Sequence, residues 1–466
     1  MPTFTPSLLA EWTGGHWGHE PRVALTGFTV DTRTITAGQV FVALRTERRD
    51  GHDFLDTARA AGAGAALVSR LNPAVDLPQL VVADPLVAFQ AIARAHRRLF
   101  TGPVIGISGS CGKTSTKDLL ALLLGGPGAG VLATEGNLNN HLGVPLTLTR
   151  LDPAEHRFAV VEAGISGPGE MDVLAGMIEP DISITTLIGP AHLLELGGLE
   201  GVAREKSRLG AAVRPAGMAV FPGQCAAFSA FRDLSVPRMV LEPAEVIRPE
   251  QPPRDVVYYT TTQRDDSTAV ALAYGLPPPL TFTFRKVSQG MAQNAALAIC
   301  AALWLGVSAK QIQERLQAWG AARWRGEIIR SGERLYYVDC YNANPASMRD
   351  ALQNFDSIAP ASRPRLYLLG CMEELGIGAA AFHFETGAAL RLRSGDRAVV
   401  VGGEAASYRD GLFSAGAAAA QVELCSDAAS LAPLVSSWDG SVFVKGSRKY
   451  QLEKALGCLV DASHTH

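Results

Sequence analysis

Residues 106–120 read GISGSCGKTSTKDLL, a turn of small residues that opens onto a helical pattern with a lysine at its mouth. Backbone N–H groups of such a turn and of the helix start face an anion. In that geometry Gly109, Ser110, Cys111 and Gly112 cradle phosphates while Lys113 reaches the outer ones. The hydroxyl of Thr114, or of Ser115 beside it, can sit on Mg²⁺. The spacing is not strictly G-x4-G-K: Ile107 stands where the first glycine is usual, and Gly109 comes two residues later. Such a metal also needs a carboxylate. Glu162 ends the apolar run FAVVE where a loop begins, and ligands of open α/β sheets gather beyond those strand ends. His192 follows another strand-like run, and Lys206 lies in the helical pattern after it. By spacing alone, the first reads as a packing histidine and the second as a solvated lysine.

The elements that must position these groups alternate along the whole chain. GQVFVALR and AALVSR read as strands around the helical HDFLDTARAAGA, and ADPLVAFQAIARAHRRLF as a helix begun by a proline. From residue 100 the strands VIGIS, FAVVEAG, DISITTLIG and GMAVFP predict a doubly wound, mostly parallel sheet. The proline-rich stretch 243–288 holds β-like runs (DVVYYTTT, LTFTFRKV), expected as a small antiparallel attachment to the same domain. QNAALAICAALWLGVSAKQIQERLQAW reads as two helices broken at Gly306. After Trp324 a Rossmann-like pattern begins with RLYYVDCY, continues through RPRLYLLG, RAVVVGG and SVFVKGS, and ends in the expected helix RKYQLEKALGCLV. The fold class is therefore α/β, with predicted domains at 1–99, 100–322 and 323–466.

Composition narrows the class of function. The 466 residues are 47% apolar and 19% charged, enough to bury a core, and the net charge of −3 gives no basic surface for nucleic acid. Seven dispersed cysteines, odd in number and never spaced C-x-x-C, favour free thiols in a reducing compartment. The N-terminus lacks the pattern of a signal peptide, and no apolar run approaches the roughly 18–20 residues of a membrane span. The expected location is cytoplasmic, with no membrane partner.

Four further segments make a resemblance specific. ISGSCGKTSTK and TEGNLNNHLGVPLTLTRL are followed by GPAHLLELGGLEGVAREKSRL, VDCYNANPASMRDAL and VFVKGSRKYQLEKAL. In this order they resemble the Mur ligase family, most of all its MurF branch, which adds D-Ala-D-Ala to UDP-MurNAc-tripeptide in peptidoglycan precursor synthesis. The run VDTRTITAGQVFVALRTERRDGHDFLDTARAAGA is similar to the UDP-sugar-recognising domain of that family, so the resemblance spans essentially the whole chain. It implies transfer of the γ-phosphoryl of ATP to a substrate carboxylate, giving an acyl phosphate that an amine attacks, with two Mg²⁺ ions offsetting crowded negative charge.

The resemblance also implies roles. Lys113 would grip the β- and γ-phosphates, Thr114 and Glu162 would hold the ATP-side magnesium, and His192 would ligate the second. Lys206 matches the lysine that the family carbamylates with CO₂, making it a further metal ligand. Asn137 matches an asparagine contacting the nucleotide phosphates, Asn294 one reading adenine, and Arg325 and Asp339 residues that close over phosphates and ribose. Asn342, Asn344, Lys445, Gly446, Ser447 and Arg448 would face the amine substrate. Asp31, Thr32, Arg33, Gly51 and His52 would belong to the UDP-MurNAc end. The partners implied are small molecules acting on a monomer.

Some positions depart from the family pattern. Gly290 stands where a histidine precedes the adenine asparagine, Trp324 replaces the glycine before Arg325, and Cys340 and Cys371 replace a serine and an aspartate. The two thiols read as small substitutions in a packed loop or as a reactive group lining the cleft. Three other readings compete: a MurF-like ligase joining another amine and carboxylate, a non-catalytic homologue, and a plain phosphate-loop hydrolase or motor. Neither of the last two needs this whole set of metal-site, carbamate and YNANP residues.

Overall fold

The computed structural model describes residues 2–244, 253–273 and 279–460. The chain is α/β, and three sheets follow one another along it. The first has the spatial order His16–Trp17, Gln79–Val81, Ala65–Val68, Val40–Val42, Phe28–Thr29, parallel except at its first pair. The second has nine strands. Its parallel part runs Val131–Ala133, Phe158–Glu162, Val104–Ser108, Ile182–Thr185, Met218–Pro222, Arg238–Pro243, Val256–Gln263. Ser267–Ala273 and Leu280–Arg285 then join antiparallel. The proline-rich stretch is thus an extension of the central sheet's own edge. Its residues 245–252 and 274–278 lie outside the described residues. The third sheet runs Glu327–Ser331, Arg334–Asp339, Ser441–Lys445, Arg365–Gly370, Arg397–Val401, Val422–Cys425, with only the first hairpin antiparallel.

The central strands are buried throughout, as fits a parallel sheet covered on both faces. Leu119, Leu120 and Leu123 of the helix Lys113–Leu123 pack one face together with the alanine-rich helix Gln289–Trp304. Gly306, at φ 85°, ends that second helix, and Ser308 starts Ala309–Gln317 with a capping box to Gln311. The break at Gly306 is where the sequence puts it.

The helix Pro85–Leu99 ties the first sheet to the second. Asp84 caps it by accepting from Leu86 N at 2.7 Å and Val87 N at 3.1 Å. Near its end Arg97 is 1% exposed, yet its guanidinium donates to the carbonyls of Ile178 and Glu179, each at 2.8 Å, and to Asp181 at 3.1 Å. With Nη1 donating to Phe100 O at 3.2 Å, each nitrogen of this buried cation has an acceptor, which is what lets it persist.

The C-terminal segment corrects an expectation. RKYQLEKALGCLV is not one α-helix but a series of 3₁₀ turns, Arg448–Tyr450 and then Leu452–Val460, the latter itself kinked at Gly457. Gln451 at φ 47° and Gly457 at φ 53° take left-handed conformations, and each interrupts the α ladder. Among the described residues no helix is long and apolar enough to cross a membrane.

The third sheet rests on a buried ion pair. Arg365 donates to Asp396 at 2.6 and 2.9 Å, and Asp396 is 1% exposed. Asp396 also accepts from the backbone N of Arg365 and Arg393, each at 2.8 Å, and without it the Arg365 guanidinium keeps only Asp356, at 2.6 Å, as a carboxylate partner. Asp396→Ala should therefore destabilise this domain by about 3–5 kcal/mol in chemical denaturation, whereas loss under 1 kcal/mol would mean the pair contributes little.

Candidate active site

Between the central and third sheets lies a cleft of about 360 Å³, lined by residues 110–115 on one side and by Asp339, Asn342, Asn344 and Lys445 on the other. Its floor is the phosphate loop. The strand Val104–Ser108 ends at Gly109 (φ 142°), and Gly112 (φ 79°) starts the helix from Lys113. Both glycines are required for space as well as angle. A Cβ on Gly109 would collide with the Thr186 hydroxyl, and one on Gly112 with the Asn294 amide. The loop is braced from behind: the Ser110 hydroxyl donates to Gly189 O at 2.9 Å, Ser110 N donates to Leu187 O at 2.9 Å, and Thr186 Oγ1 donates to Cys111 O. Lys113 Nζ donates to Gly109 O at 2.9 Å, holding the ammonium over the turn.

Glu162 lies on the neighbouring strand, 2% exposed. Its Oε1 accepts from Asn139 Nδ2 at 2.8 Å, and its backbone N donates to Thr134 Oγ1 at 2.9 Å. Its Oε2 is buried and has no partner. A carboxylate oxygen in that position, in the same wall as the Thr114 and Ser115 hydroxyls, forms a set of hard oxygen donors suited to Mg²⁺. Among the described residues no three His, Cys, Asp or Glu side chains cluster as a ready-made cage. Asn139 was missed by the sequence reading. Its signal was the repeated asparagine in EGNLNN, of which only Asn137 was singled out; Asn137 too lines the cleft.

Lys206 is 2% exposed on the helix Leu199–Ala211. Burial, and after it the nearby Lys113 ammonium, hold its pKa well below the usual lysine value, which favours the neutral amine relative to a solvated lysine. His192 takes φ 51° at the start of Leu193–Leu196, an uncommon angle for a side chain with a Cβ. Burial lowers its pKa, Glu374 opposes this, and Lys206 and Lys113 reinforce it. His192, Lys206 and Lys113 therefore share one electrostatic neighbourhood, although His192 and Lys206 do not line the 360 Å³ cleft itself. His192 Nδ1 meets Glu374 of the third domain at 3.2 Å.

The third domain supplies the roof. Lys445, 1% exposed, donates to Asp339 Oδ2 at 2.6 Å and to Asn342 O at 3.2 Å. The Arg325 guanidinium stands 3.9 Å over the Tyr341 ring. Asn344, expected on the amine side, caps the helix Pro345–Ile358, and its Nδ2 donates to Ser110 O of the phosphate loop at 3.1 Å. Gly446, Ser447 and Arg448 stand outside the cleft lining. Gly446 lies against Gly370, Ser447 Oγ accepts from Glu373 N at 3.1 Å, and Arg448 pairs with Glu453 while lying 4.5 Å from the Trp324 ring centroid.

The first-domain candidates also lie outside the cleft. Asp31 caps the turn Thr32–Thr34 and pairs with Arg33 at 2.6 Å, a bond that draws its pKa down to about 2. Gly51 packs against the backbone of Ala43 and Leu44. His52 is buried, with Nδ1 on Asp50 at 2.6 Å and Nε2 accepting from Ser69 N at 3.0 Å, so both ring nitrogens are engaged within the protein.

The cysteine departures are resolved by burial. Cys340 and Cys371 are fully covered, and burial pushes their thiols up to about 12 and about 11. Such thiols stay protonated, so the reactive-group reading fails and the packing reading stands.

The comparisons with known proteins join this geometry to a family. The family described as "Mur ligase middle domain" matches residues 107–239, "Mur ligase, glutamate ligase domain" matches 324–448, and "Mur ligase family, catalytic domain" matches 24–107. The UDP-N-acetylmuramoyl-tripeptide--D-alanyl-D-alanine ligase of Escherichia coli (strain K12) is 34% identical over 384 residues, covering 82% of each chain. The chain belongs to the Mur ligase family, in its MurF branch. A crystal structure of MurF from Acinetobacter baumannii superposes with a TM-score of 0.84 at 29% identity, covering 99% of both chains. MurF ligase from Thermotoga maritima, crystallised in complex with ADP, has the same fold, with a TM-score of 0.78 at 24% identity over 94% of this chain and 97% of that one.

Against the family pattern, Gly290 acquires a local reason. Its backbone N donates to Asp350 Oδ1 of the third domain at 2.8 Å, and a Cβ would meet the same carboxylate at 2.8 Å. Alanine at this helical position would otherwise favour the helix by about 0.8–1.0 kcal/mol. Gly290→Ala should nonetheless displace the Asp350 carboxylate, and hydrogen exchange of residues 288–292 should speed about tenfold; unchanged or slower exchange would show that no clasp exists.

Proposed function

We propose that this protein phosphorylates the terminal carboxylate of UDP-MurNAc-tripeptide with ATP and then joins it to the amine of D-Ala-D-Ala, releasing phosphate. The observation that carries this reading is the unpartnered Glu162 oxygen, buried in one cleft with the Lys113 phosphate loop. The proposed architecture assigns residues 1–99 to UDP-substrate binding, 100–322 to ATP binding and 323–466 to the Rossmann-like roof. In this reading the protein acts as a monomer. Six free cysteines among the described residues accord with a reducing, cytoplasmic setting.

The residues divide the work by charge. The Gly109–Gly112 amides and Lys113 would hold the β- and γ-phosphates, with Asn137 beside them. Thr114 and Glu162 would hold one Mg²⁺, and His192 with Lys206 a second. Bound there, the ions would lower the cost of bringing an anionic carboxylate to an anionic phosphoryl group. The Lys206 amine, in its neutral form, would take up CO₂, lose a proton and present a carbamate oxygen. Arg325, Asp339 and Asn294 would orient the nucleotide, and Asn342, Asn344 and the Lys445–Arg448 segment would border the amine site. Asp31–Arg33 and Gly51-His52 would shape the UDP-sugar end. Orientation and fixed charge are the protein's main contribution, since phosphoryl transfer needs little covalent help.

The direct test is ADP release across a panel of UDP-muramyl peptides and dipeptides. Turnover should require both UDP-MurNAc-tripeptide and D-Ala-D-Ala; a preference for another amine would indicate a retasked ligase. Lys206→Ala should abolish ligation, with partial return in added formate or acetate, and full activity without additive would retire the carbamate. Lys113→Ala should slow phosphoryl transfer by at least about 100-fold while leaving equilibrium binding of the UDP substrate nearly unchanged. Weakened UDP-substrate binding with normal transfer would reverse these roles.

A further inference from the structure

One cationic side chain in the cleft wall is used by nothing described so far. Arg285 ends the strand Leu280–Arg285, lines the cleft, and holds its guanidinium 5.1 Å from the Trp319 ring centroid. Trp319 is itself fixed edge-on against Phe284, with ring centroids 5.2 Å apart. Among the described residues no carboxylate lies within ion-pair distance of Arg285. Its one hydrogen bond among the described residues is a long contact from Nη1 to Lys286 O at 3.5 Å. Its Nε is buried and has no partner.

Asn294, in the same wall, shows the opposite deficit. Its amide nitrogen lies toward Gly112 of the phosphate loop, and its Oδ1 is buried without a partner. One cleft is thus lined by two residues that each keep a buried polar atom unpaired, a donor on Arg285 and an acceptor on Asn294. Buried polar atoms left in that condition cost stability unless a ligand completes them.

An adenine carries the complementary pair. Its 6-amino N–H is a donor, flanked by ring-nitrogen acceptors at N1 and N7. Guanine instead puts a carbonyl oxygen at position 6, which would face the Asn294 oxygen lone pair to lone pair. We propose that Arg285 is a base-specificity residue, its Nε donating to a ring nitrogen beside the amino group while Asn294 Oδ1 accepts from that amino group. The assignment rests on the reading of the cleft as an ATP site. Trp319 acts in it as a positioning residue, fixing the guanidinium plane.

Equilibrium titration of the full-length protein with ADP, 1-deaza-ADP, 7-deaza-ADP and GDP tests this without turnover. Wild type should bind GDP, and one of the two deaza analogues, at least about tenfold more weakly than ADP. Arg285→Met, which keeps the stem and removes the donor, should weaken ADP by a similar factor. It should leave the affected deaza analogue unchanged, because the bond is already missing. Equal weakening of ADP and both analogues by Arg285→Met would mean a general packing role and overturn the assignment. Equal wild-type affinity for ADP and both analogues would overturn it without any variant. Wild type that binds none of the four would contradict the ATP-site reading itself.

Discussion

The carboxylate of Glu162 is out of water, tied at one oxygen to Asn139 and open at the other. Most of the central domain's local geometry serves that condition. The parallel strands Val104–Ser108 and Phe158–Glu162 are paired Ile107 to Glu162, which delivers the carboxylate beside the phosphate loop. Thr134, on the far side of the same strand, accepts from the Glu162 backbone through its hydroxyl, and its carbonyl accepts from the buried Lys117 ammonium at 2.7 Å. An anion so placed is tolerable only if a cation or a donor completes it. The proposed metal and phosphate chemistry is built on that constraint.

The third domain meets this centre through contacts that couple its position to the loop. Asn344 reaches Ser110 O, Asp350 accepts from Gly290 N, and Glu374 meets His192. Each joins a central-domain element to a loop or helix of the third domain, Asn344 and Asp350 both belonging to the helix Pro345–Ile358 or its cap. Movement of this domain would therefore remake the cleft's roof and its loop contacts together, which suits a reaction whose reactive intermediate must be kept from water. Gly370 and Gly446 allow two strand ends of that domain to approach closely enough to carry the Cys371 and Ser447 loops side by side.

Much of this was legible in the sequence, for physical reasons. Short, β-branched apolar runs such as FAVVE and VIGIS favour buried strands, and the glycine turn before Lys113 has few other uses. The α/β class and the phosphate loop follow from those alone. The break at Gly306 was readable because glycine supplies a left-handed angle at no steric cost. The C-terminal helix was misread because Gln451, not a usual helix breaker, takes φ 47°. Short strands such as Val131–Ala133 and Glu327–Ser331 carry too few residues to show a period. Among site residues, Lys113, Glu162 and Asn294 stood in recognisable patterns. Asn139, Asp350 and Arg285 did not, because their significance lies in which partner they have or lack across the fold. The inertness of Cys340 and Cys371 likewise depends on burial, which no local pattern reports.

The central claim is that the open oxygen of Glu162 takes a divalent ion held in common with the nucleotide. An anomalous-difference map from crystals grown with Mn²⁺ and a non-hydrolysable ATP analogue tests it most directly. The account predicts a peak about 2 Å from Glu162 Oε2, bridged to a phosphate oxygen seated on the residue 109–113 loop. Nucleotide bound in the cleft with the ion elsewhere, and Glu162 still unpartnered, would contradict it.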